Sequence, residues 1–247
     1  MTGHRTLPAD PAAYQALIGA FLDLGYVARG FADAEPGERH LILRHDIDVA
    51  LAEAETIAEL EARIGVAACY FVQMRCDLYN PAAPANRGRL ARIGALGHRI
   101  GLHFDASPHT DAGTLERAVE ADCAALEALT GAPVETISFH KPAESLLGRA
   151  APLAGRRHTY EPRFFDDMAY CSDSQGAWRH GHPLDRDEVA AGRAIQLLTH
   201  PVWWCGRGAT PTAVLDMVLG RRAGELGAEI ARSCTSYAAP RVAVERP

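Results

Sequence analysis

The chain has 247 residues, a length that fits one large domain or two small ones and is common for α/β barrels. Hydrophobic residues make up 48% and charged residues 23%, as in ordinary soluble proteins, and the net charge is −6. With no run of Lys or Arg, this balance excludes a nucleic-acid or anionic-membrane partner. The six cysteines are scattered, which is typical of reduced thiols. Because no apolar run approaches the roughly 18 residues of a spanning helix and the N-terminus lacks a signal sequence, we expect a cytoplasmic protein without a membrane span.

Hydrophobic periodicity divides the chain into helices and strands. In chain order the pattern predicts a helix over 10–24, a strand ending at 43, a helix over 49–64, a strand over 67–72, a helix over 86–96, a strand over 99–103, a helix over 112–129, strands over 136–139, 157–160, 169–172 and 194–198, and a helix over 211–232. Strands that alternate with helices form a parallel sheet with the helices outside it.

The fold class that we predict is α/β, with roughly seven strands in a closed or nearly closed (β/α) barrel. A barrel fits better than an open sheet because no glycine-rich nucleotide loop follows the first strand. We expect residues 1–247 to form a single domain, with the chemistry carried by 41–204 and the helices at 10–24 and 211–232 flanking it.

The stretch from Leu41 to Asp48 is the most informative in the chain. Three aliphatic residues indicate a buried strand, and the sequence Arg-His-Asp-Ile-Asp follows at once. Asp46 and Asp48 are two positions apart and therefore point the same way from an extended chain. Two adjacent carboxylates indicate a metal site or an acid/base site. The alternative is a plain strand followed by a helix, with Asp48 as the helix N-cap.

Other predicted strands end in the same kinds of residue. The side chains that follow the strands are His45, Asp46 and Asp48; His103 and Asp105; His140 and Lys141; Asp173 and Gln175; and His200, with Trp203 and Trp204 behind it. On a parallel barrel all of these strand ends meet at one mouth. The pattern therefore predicts one site built from acids and imidazoles.

Carboxylate and imidazole ligands together suit Zn²⁺, Fe²⁺, Co²⁺ or Mn²⁺ better than Ca²⁺ or Mg²⁺, which prefer oxygen alone. Two histidines and one aspartate with an open position for water would make a hydrolytic metal site. A remaining aspartate could then act as general base and a remaining histidine as general acid.

Five segments in order resemble the polysaccharide deacetylase (NodB-homology) superfamily. They are RHDID at 44–48, GHRIGLHFD at 97–105, SFHKP at 138–142, SDSQGAW at 172–178 and LLTHP at 197–201. The pattern is most similar to the WbmS-like branch that is associated with bacterial O-antigen gene clusters. The resemblance implies a distorted seven-stranded (β/α) barrel and metal-dependent removal of an N- or O-acetyl group from a sugar.

The resemblance also implies roles for individual positions. It implies that Asp46 is the catalytic base, that Asp48 and His103 are metal ligands, and that His200 is the general acid. It also implies that Asp173 and Trp178 orient the side of the site that carries the base and line the sugar groove. We place Asp173, Trp178 and Lys141 among the substrate-binding residues.

Two positions depart from the family pattern. Ser107 stands where the family has its second metal histidine, and His140 stands where the family has the arginine that tethers the catalytic aspartate. His140 could supply the missing imidazole, and Asp105 or His109 are the alternatives. We take His140 as the third ligand and zinc as the metal, with iron, cobalt or manganese as alternatives.

Several residues have two readings. Lys141 could neutralise an anionic sugar or an oxyanion, or be a solvated loop lysine. Tryptophans 178, 203 and 204 could stack on sugar faces or belong to the core. Arg44 and His45 could orient the two carboxylates or simply pair with them. The remaining histidines, which lack motif support, are predicted at the surface: His4, His40, His158, His180 and His182.

The function that we expect is a metal-dependent hydrolase that removes an acetyl group from an amino sugar or a polysaccharide precursor, in surface polysaccharide biosynthesis. The alternatives are another metal-dependent barrel enzyme on a small sugar and a non-catalytic carbohydrate-binding homologue. Each of them has a carbohydrate as its partner, and the sequence carries no signal for an oligomeric state.

Overall fold

The computed structural model describes residues 5–7, 10–109, 111–179, 181–206 and 210–238. Within this part of the chain lie eight α-helices: α1 (Pro11–Asp23), α2 (Leu51–Arg63), α3 (Pro84–Ala95), α4 (Ala112–Thr130), α5 (Pro162–Phe165), α6 (Asp187–Ala190), α7 (Pro201–Trp204) and α8 (Pro211–Ser233). The strands are β1 (Arg5–Thr6), β2 (Val27–Ala28), β3 (His40–Ile47), β4 (Cys69–Val72), β5 (Arg99–Asp105), β6 (Thr136–His140), β7 (Arg157–His158), β8 (Ala169–Ser172), β9 (Ala177–Trp178) and β10 (Ile195–Thr199).

The main sheet is parallel, in the order β7-β6-β5-β4-β3-β10-β8, with β2 beside the start of β3. These seven strands form a curled half-barrel with helices outside it, which confirms the predicted fold class. Strands β1 and β9 form a separate antiparallel pair. The five long helices and seven main strands lie close to their predicted positions, whereas β1, β9 and three short helices were not predicted.

Strand β3, at the centre of the sheet, has two different faces. Leu41, Leu43 and Ile47 belong to the main hydrophobic core. Ile42 belongs instead to a smaller apolar cluster with Phe71 from β4. Because side chains alternate along a strand, Ile42 shares its face with Arg44 and Asp46, and that face lines the inside of the curl.

The two ends of the sheet approach each other across this interior. Gln196 on β10 donates from Nε2 to the backbone carbonyls of Thr159 (3.0 Å) and Phe164 (2.9 Å), which follow β7. The ring of Tyr160, also just after β7, lies 6.4 Å from that of Tyr170 on β8. Since β7 and β8 are the end strands, these contacts fix the curl of the sheet.

The outward face of β3 carries a buried polar network. Nε2 of His45 lies 2.8 Å from Oε1 of Glu61, and Nδ1 of His45 lies 2.8 Å from the hydroxyl of Thr199. The hydroxyls of Tyr14 and Tyr70 each donate to Glu61 at 2.5 Å. Burial alone would raise the pKa of Glu61, but His45 and these donors hold it below its usual value. His45 therefore faces α2 and neither orients nor pairs with the two aspartates, contrary to both of its predicted roles.

The surface prediction for the remaining histidines is wrong for one of them. His158 is completely buried, with its ring 5.4 Å from that of Phe139, because strand β7 pairs with β6. His40 and His182 are partly buried. His4 and His180 lie outside the described residues.

Gly101 in β5 is expected to tolerate no larger side chain. A Cβ there would lie 2.5 Å from the ring of Phe71 and 2.7 Å from the carbonyl oxygen of Thr136. Gly101→Ala should therefore lower the free energy of unfolding by about 1–3 kcal/mol, measured by urea denaturation. The matched control is Gly94→Ala in α3, where a Cβ meets nothing within 4 Å. Alanine favours helices, so this change should raise stability by up to about 1 kcal/mol, and equal losses in both variants would contradict the argument.

Candidate functional site

A cavity of about 420 Å³ opens at the carboxyl ends of the strands. Five residues that the sequence assigned to metal or proton chemistry line it: Asp46, Asp48, His103, His140 and His200. They come from β3 and the loop after it, from β5 and β6, and from the loop after β10, so strands far apart along the chain converge here as the parallel topology predicts. A second cavity, of about 270 Å³, lies at the opposite end of the strands and includes Arg29 and Arg99 in its lining.

Asp48, His103 and His140 form one cluster. One potential ligand atom from each lies within 4.8 Å of the others. Oδ1 of Asp48 is 3.0 Å from Nε2 of His103 and 3.2 Å from Nδ1 of His140. One carboxylate oxygen and two imidazole nitrogens are a donor set for a divalent transition metal, so the residues present fit such an ion.

Asp48 does not have the helix-capping role that was its alternative reading. The N-cap of α2 is Ala50, and it makes no side-chain capping bond. The carboxylate of Asp48 instead faces the histidines. Burial would raise the pKa of Asp48, but its contacts with the imidazoles of His103 and His140 hold it well below its usual value. The residue is thus a carboxylate at neutral pH, as a metal ligand must be.

Ser138 sets the tautomer of His103. Its hydroxyl lies 2.9 and 3.0 Å from the two carboxylate oxygens of Asp46 and 3.0 Å from Nδ1 of His103. The single hydroxyl hydrogen goes to the carboxylate, which can only accept, so Nδ1 of His103 donates to the serine oxygen. Nε2, which faces Asp48, is then left with its lone pair for a metal ion.

Asp46 is held by Arg44, two residues earlier on the same strand. The guanidinium donates from Nε to Oδ1 (3.0 Å) and from Nη2 to Oδ2 (2.8 Å) of Asp46, and both side chains are almost fully buried. Burial would raise the pKa of Asp46, but Arg44 and the nearby His103 hold it below its usual value. Asp46 is therefore an ionised carboxylate that faces the cavity.

Arg44 is itself enclosed by polar and aromatic partners. It donates to the hydroxyls of Ser138 (2.7 Å) and Tyr160 (3.2 Å) and to the side-chain oxygen of Gln196 (3.2 Å). Its guanidinium carbon lies 4.8 Å from the ring centre of Tyr160. The resemblance placed the tethering arginine at the position of His140, whereas here Arg44 provides that contact and His140 is left to join the metal cluster.

His200 approaches the cluster from the opposite side. Its Nδ1 donates to Oδ1 of Asp173 at 2.6 Å, and its Nε2 lies 3.6 Å from Oδ2 of Asp48. Burial opposes the charge on the imidazole, but Asp173 and Asp48 raise the pKa of His200 to about 9. The ring can therefore offer a proton at Nε2, toward the cavity.

Two of the predicted substrate-binding residues lie elsewhere. Asp173 is fully buried beneath His200 and also accepts from Nε1 of Trp204 at 2.8 Å, so it orients His200 and cannot touch a substrate. Trp178 is only 3% exposed and packs against Trp204, because the pairing of β9 with β1 covers it. Trp203 lines the cavity instead.

Lys141, the third predicted substrate-binding residue, does line the cavity. The alternative metal ligands do not join the cluster found among the described residues. Asp105 accepts from the backbone N–H of Ser107 at 2.9 Å, and His109 stacks on Phe104 with ring centres 5.4 Å apart. Of the three residues considered for the third ligand, His140 is the one that lies beside Asp48 and His103.

The sequence alone did not determine the roles of Arg44 and Ser138 in the site. The signal for Arg44 was a charged residue in an otherwise aliphatic strand, on the same face as Asp46. The signal for Ser138 was its place two residues before His140, on the same face of β6. In the sheet Ser138 lies directly opposite His103, and this register could be read only from the structure.

No family model and no curated protein matches the chain. The described part contains no helix that is both long and apolar enough to cross a membrane. Among solved structures the chain resembles a family 4 carbohydrate esterase from Bacillus anthracis, with 13% identity over 91% of this chain and 92% of that one and a TM-score of 0.46. It also resembles the peptidoglycan deacetylase PdaC from Bacillus subtilis (13% identity, 79% and 97% coverage, TM-score 0.44).

A third similar structure is a CE4 family pseudoenzyme from Bacillus anthracis (13% identity, 77% of this chain and 62% of that one, TM-score 0.42). Identities and TM-scores at this level do not establish the activity of this chain, which has to be inferred from its own residues. Of the three solved structures described here, which the chain resembles distantly, two are members of carbohydrate esterase family 4 and the third is a peptidoglycan deacetylase.

Proposed function

We propose that the protein is a metal-dependent hydrolase that removes an acetyl group from a sugar. The observation that carries this proposal is the placement of Asp48, His103 and His140 in one cluster, with Asp46 and His200 beside it in the same cavity. Such a site combines a cation position, an ionised base and a protonated acid, which are the groups that acyl hydrolysis needs.

The metal is proposed to be held by Asp48, His103 and His140, with zinc as the first choice and iron, cobalt or manganese as alternatives. When bound, the ion polarises an acyl carbonyl and lowers the pKa of water. The contact between Nδ1 of His103 and Ser138 keeps the ligating ring in place, as outer partners do in other metal sites.

Asp46 is the proposed general base. Its carboxylate is held in a fixed orientation by two guanidinium hydrogen bonds and by Ser138, so it can accept a proton from water without first reorienting. The water oxygen bonds to the acetyl carbon while its proton moves to Asp46.

His200 is the proposed general acid. As the bond from the acetyl carbon to the sugar nitrogen or oxygen breaks, Nε2 of His200 supplies the proton that the leaving group needs. Asp173 positions this ring by accepting from Nδ1, and Trp204 holds Asp173 in turn. The products are acetate and the free amine or alcohol.

The proposal is tested by metal analysis and acetate release on one preparation. Protein purified without chelator should contain about one transition-metal ion per chain. It should release acetate from N-acetylated chito-oligosaccharides or from O-acetylated xylan, and comparing the two substrates separates amide from ester hydrolysis. Chelation should abolish release, and added Zn²⁺ should restore it. Bound metal without acetate release from either substrate would favour a different reaction, and absence of bound metal would remove the proposal.

The narrower predictions also belong to this proposal. They are membership of the WbmS-like branch, a part in O-antigen biosynthesis and a cytoplasmic location. The support for the branch and for the part in O-antigen biosynthesis is the order of the five sequence segments, from RHDID at 44–48 to LLTHP at 197–201.

A further inference from the structure

Lys141 occupies an unusual position at the mouth of the cavity. It is the only lysine in the chain, it directly follows His140 at the end of β6, and its side chain is exposed. Its backbone φ is 47°, in the left-handed region that residues other than glycine rarely adopt. Lys141 lines the same cavity as Asp48, His103 and His140.

A second cation reaches the same cavity from another element. Arg179 follows β9, is exposed, and donates a hydrogen bond to the side-chain oxygen of Gln175. Gln175 also lines the cavity and has a φ of 59°. In the described residues, three non-glycine residues have positive φ, and two of them, Lys141 and Gln175, lie here. Strained backbone of this kind collects at ligand sites because a binding geometry maintains it.

The lining offers these two cations no carboxylate partner. Its described carboxylates are Asp46, which is paired with Arg44, and Asp48, which belongs to the metal cluster. Neither Lys141 nor Arg179 has an ion pair within 4.0 Å among the described residues. With a divalent ion in the cluster, the mouth therefore carries a net positive charge on a chain whose overall charge is −6.

Asp105 is the acidic residue that interacts with Lys141 from outside this lining. The charge of Lys141 acts on the carboxylate of Asp105, but no ion pair within 4.0 Å joins the two side chains. Its carboxylate already accepts from the backbone of Ser107 at 2.9 Å. The lysine ammonium therefore keeps its donors for a ligand.

We propose that Lys141 and Arg179 bind an anionic group on the sugar, a carboxylate or a phosphate, while the acetyl group lies at the metal cluster. This inference rests on the proposed function and adds the substrate class to it. The exposure of both side chains suits a substituent at the rim better than an oxyanion formed at the metal. Charge-assisted hydrogen bonds from Lys and Arg are the usual means of recognising both kinds of anion.

The test uses zinc-loaded protein and three probes that differ at one carbon of the sugar. The probes are N-acetylglucosamine, its 6-phosphate, and the uronic acid with a carboxylate at the same position. Lys141→Asn, in which asparagine tolerates the left-handed backbone, and Arg179→Gln remove one cation each. Arg29→Gln at the opposite cavity is the control, because Arg29 is also an exposed arginine.

The native protein should prefer one or both anionic probes over the neutral one. In Lys141→Asn and in Arg179→Gln the ratio of kcat/KM for the preferred anionic probe to kcat/KM for the neutral one should fall about tenfold, mainly through KM. Arg29→Gln should leave this ratio unchanged. The probe that is preferred distinguishes phosphate from carboxylate. An equal rate on all three probes, or a ratio that neither variant alters, would overturn the inference while leaving the deacetylase proposal intact.

If no probe releases acetate, calorimetric binding separates the two proposals. Tighter binding of an anionic probe that weakens about tenfold in both variants supports the recognition of anions, although the proposed reaction fails. Equal binding of anionic and neutral probes, or equal binding to native protein and variants, overturns the inference directly. Thermal unfolding of each variant confirms that the fold is retained.

Discussion

Asp46→Asn is expected to reduce turnover by about 10²–10⁴-fold while the metal content stays close to that of the native protein. The amide cannot accept the proton of the attacking water, whereas the proposed ligands Asp48, His103 and His140 are unchanged. The measurement combines steady-state acetate release with elemental analysis of the same sample. Loss of metal would reassign Asp46 as a ligand, and native turnover would show that another group is the base.

The control for this variant is Asp105→Asn. Asp105 lies two residues after His103 at the end of β5, but it does not line the cavity. Its turnover and metal content are expected to stay within about twofold, as for most changes away from a site. Because Asp46 also neutralises buried Arg44, the assay has to be run where denaturation curves show Asp46→Asn to be folded.

Arg44→Met is expected to lower the free energy of unfolding by about 3–5 kcal/mol. Arg44 is completely inaccessible to solvent, and its removal leaves the buried carboxylate of Asp46 without a counter-charge. The loss is measured by urea denaturation of metal-free protein, since bound metal would add its own stabilisation. The double variant Arg44→Met with Asp46→Asn should be more stable than the sum of the single losses predicts, because it removes both charges.

Arg92→Met is the matched comparison on the surface. Arg92 pairs with Glu59 at 2.6 Å, but its side chain is 61% exposed. Exposed ion pairs contribute about 0–1 kcal/mol, so this variant should lose little. Equal losses in the Arg44 and Arg92 variants, or simple additivity in the double variant, would contradict the role given to the buried pair.

The sheet and the long helices could be predicted because their signals are local. Strand β3 carries an aliphatic run, α4 carries apolar residues at helical spacing, and Gly131 ends that helix with a φ of 71°. Strands β1 and β9 have two residues each, too few to show any periodicity. Their pairing is what buries Trp178, so the placement of Trp178 among the substrate-binding residues had no sequence signal against it.

The residues of the site could be predicted as a group because parallel strands end on the same side of a sheet. This rule brought Asp48, His103 and His140 together without any knowledge of distances. Which residues of this group contact each other depends instead on how strongly the sheet curls. Arg44 reaches Tyr160 and Gln196 because the ends of the sheet approach each other, and no local pattern encodes that closure.

The different roles of neighbouring residues likewise could not be predicted from the sequence. Asp173 and Gln175 both follow β8, yet Asp173 points beneath His200 and Gln175 points into the cavity. A change in backbone conformation, with a φ of −87° at Asp173 and 59° at Gln175, separates their directions. The identities of these residues alone do not predict this change in side-chain direction.

The packed interior between the two cavities has a consequence for how molecules enter and leave the site. Arg44 and Phe71 are fully buried and fill the space below Asp46, and the apolar cluster around Ile42 closes it further. These buried side chains lie between the cavity at the carboxyl ends of the strands and the cavity at the far end. In the proposed reaction, acetate would therefore leave through the opening by which the sugar enters, and bound acetate should compete with the next sugar molecule.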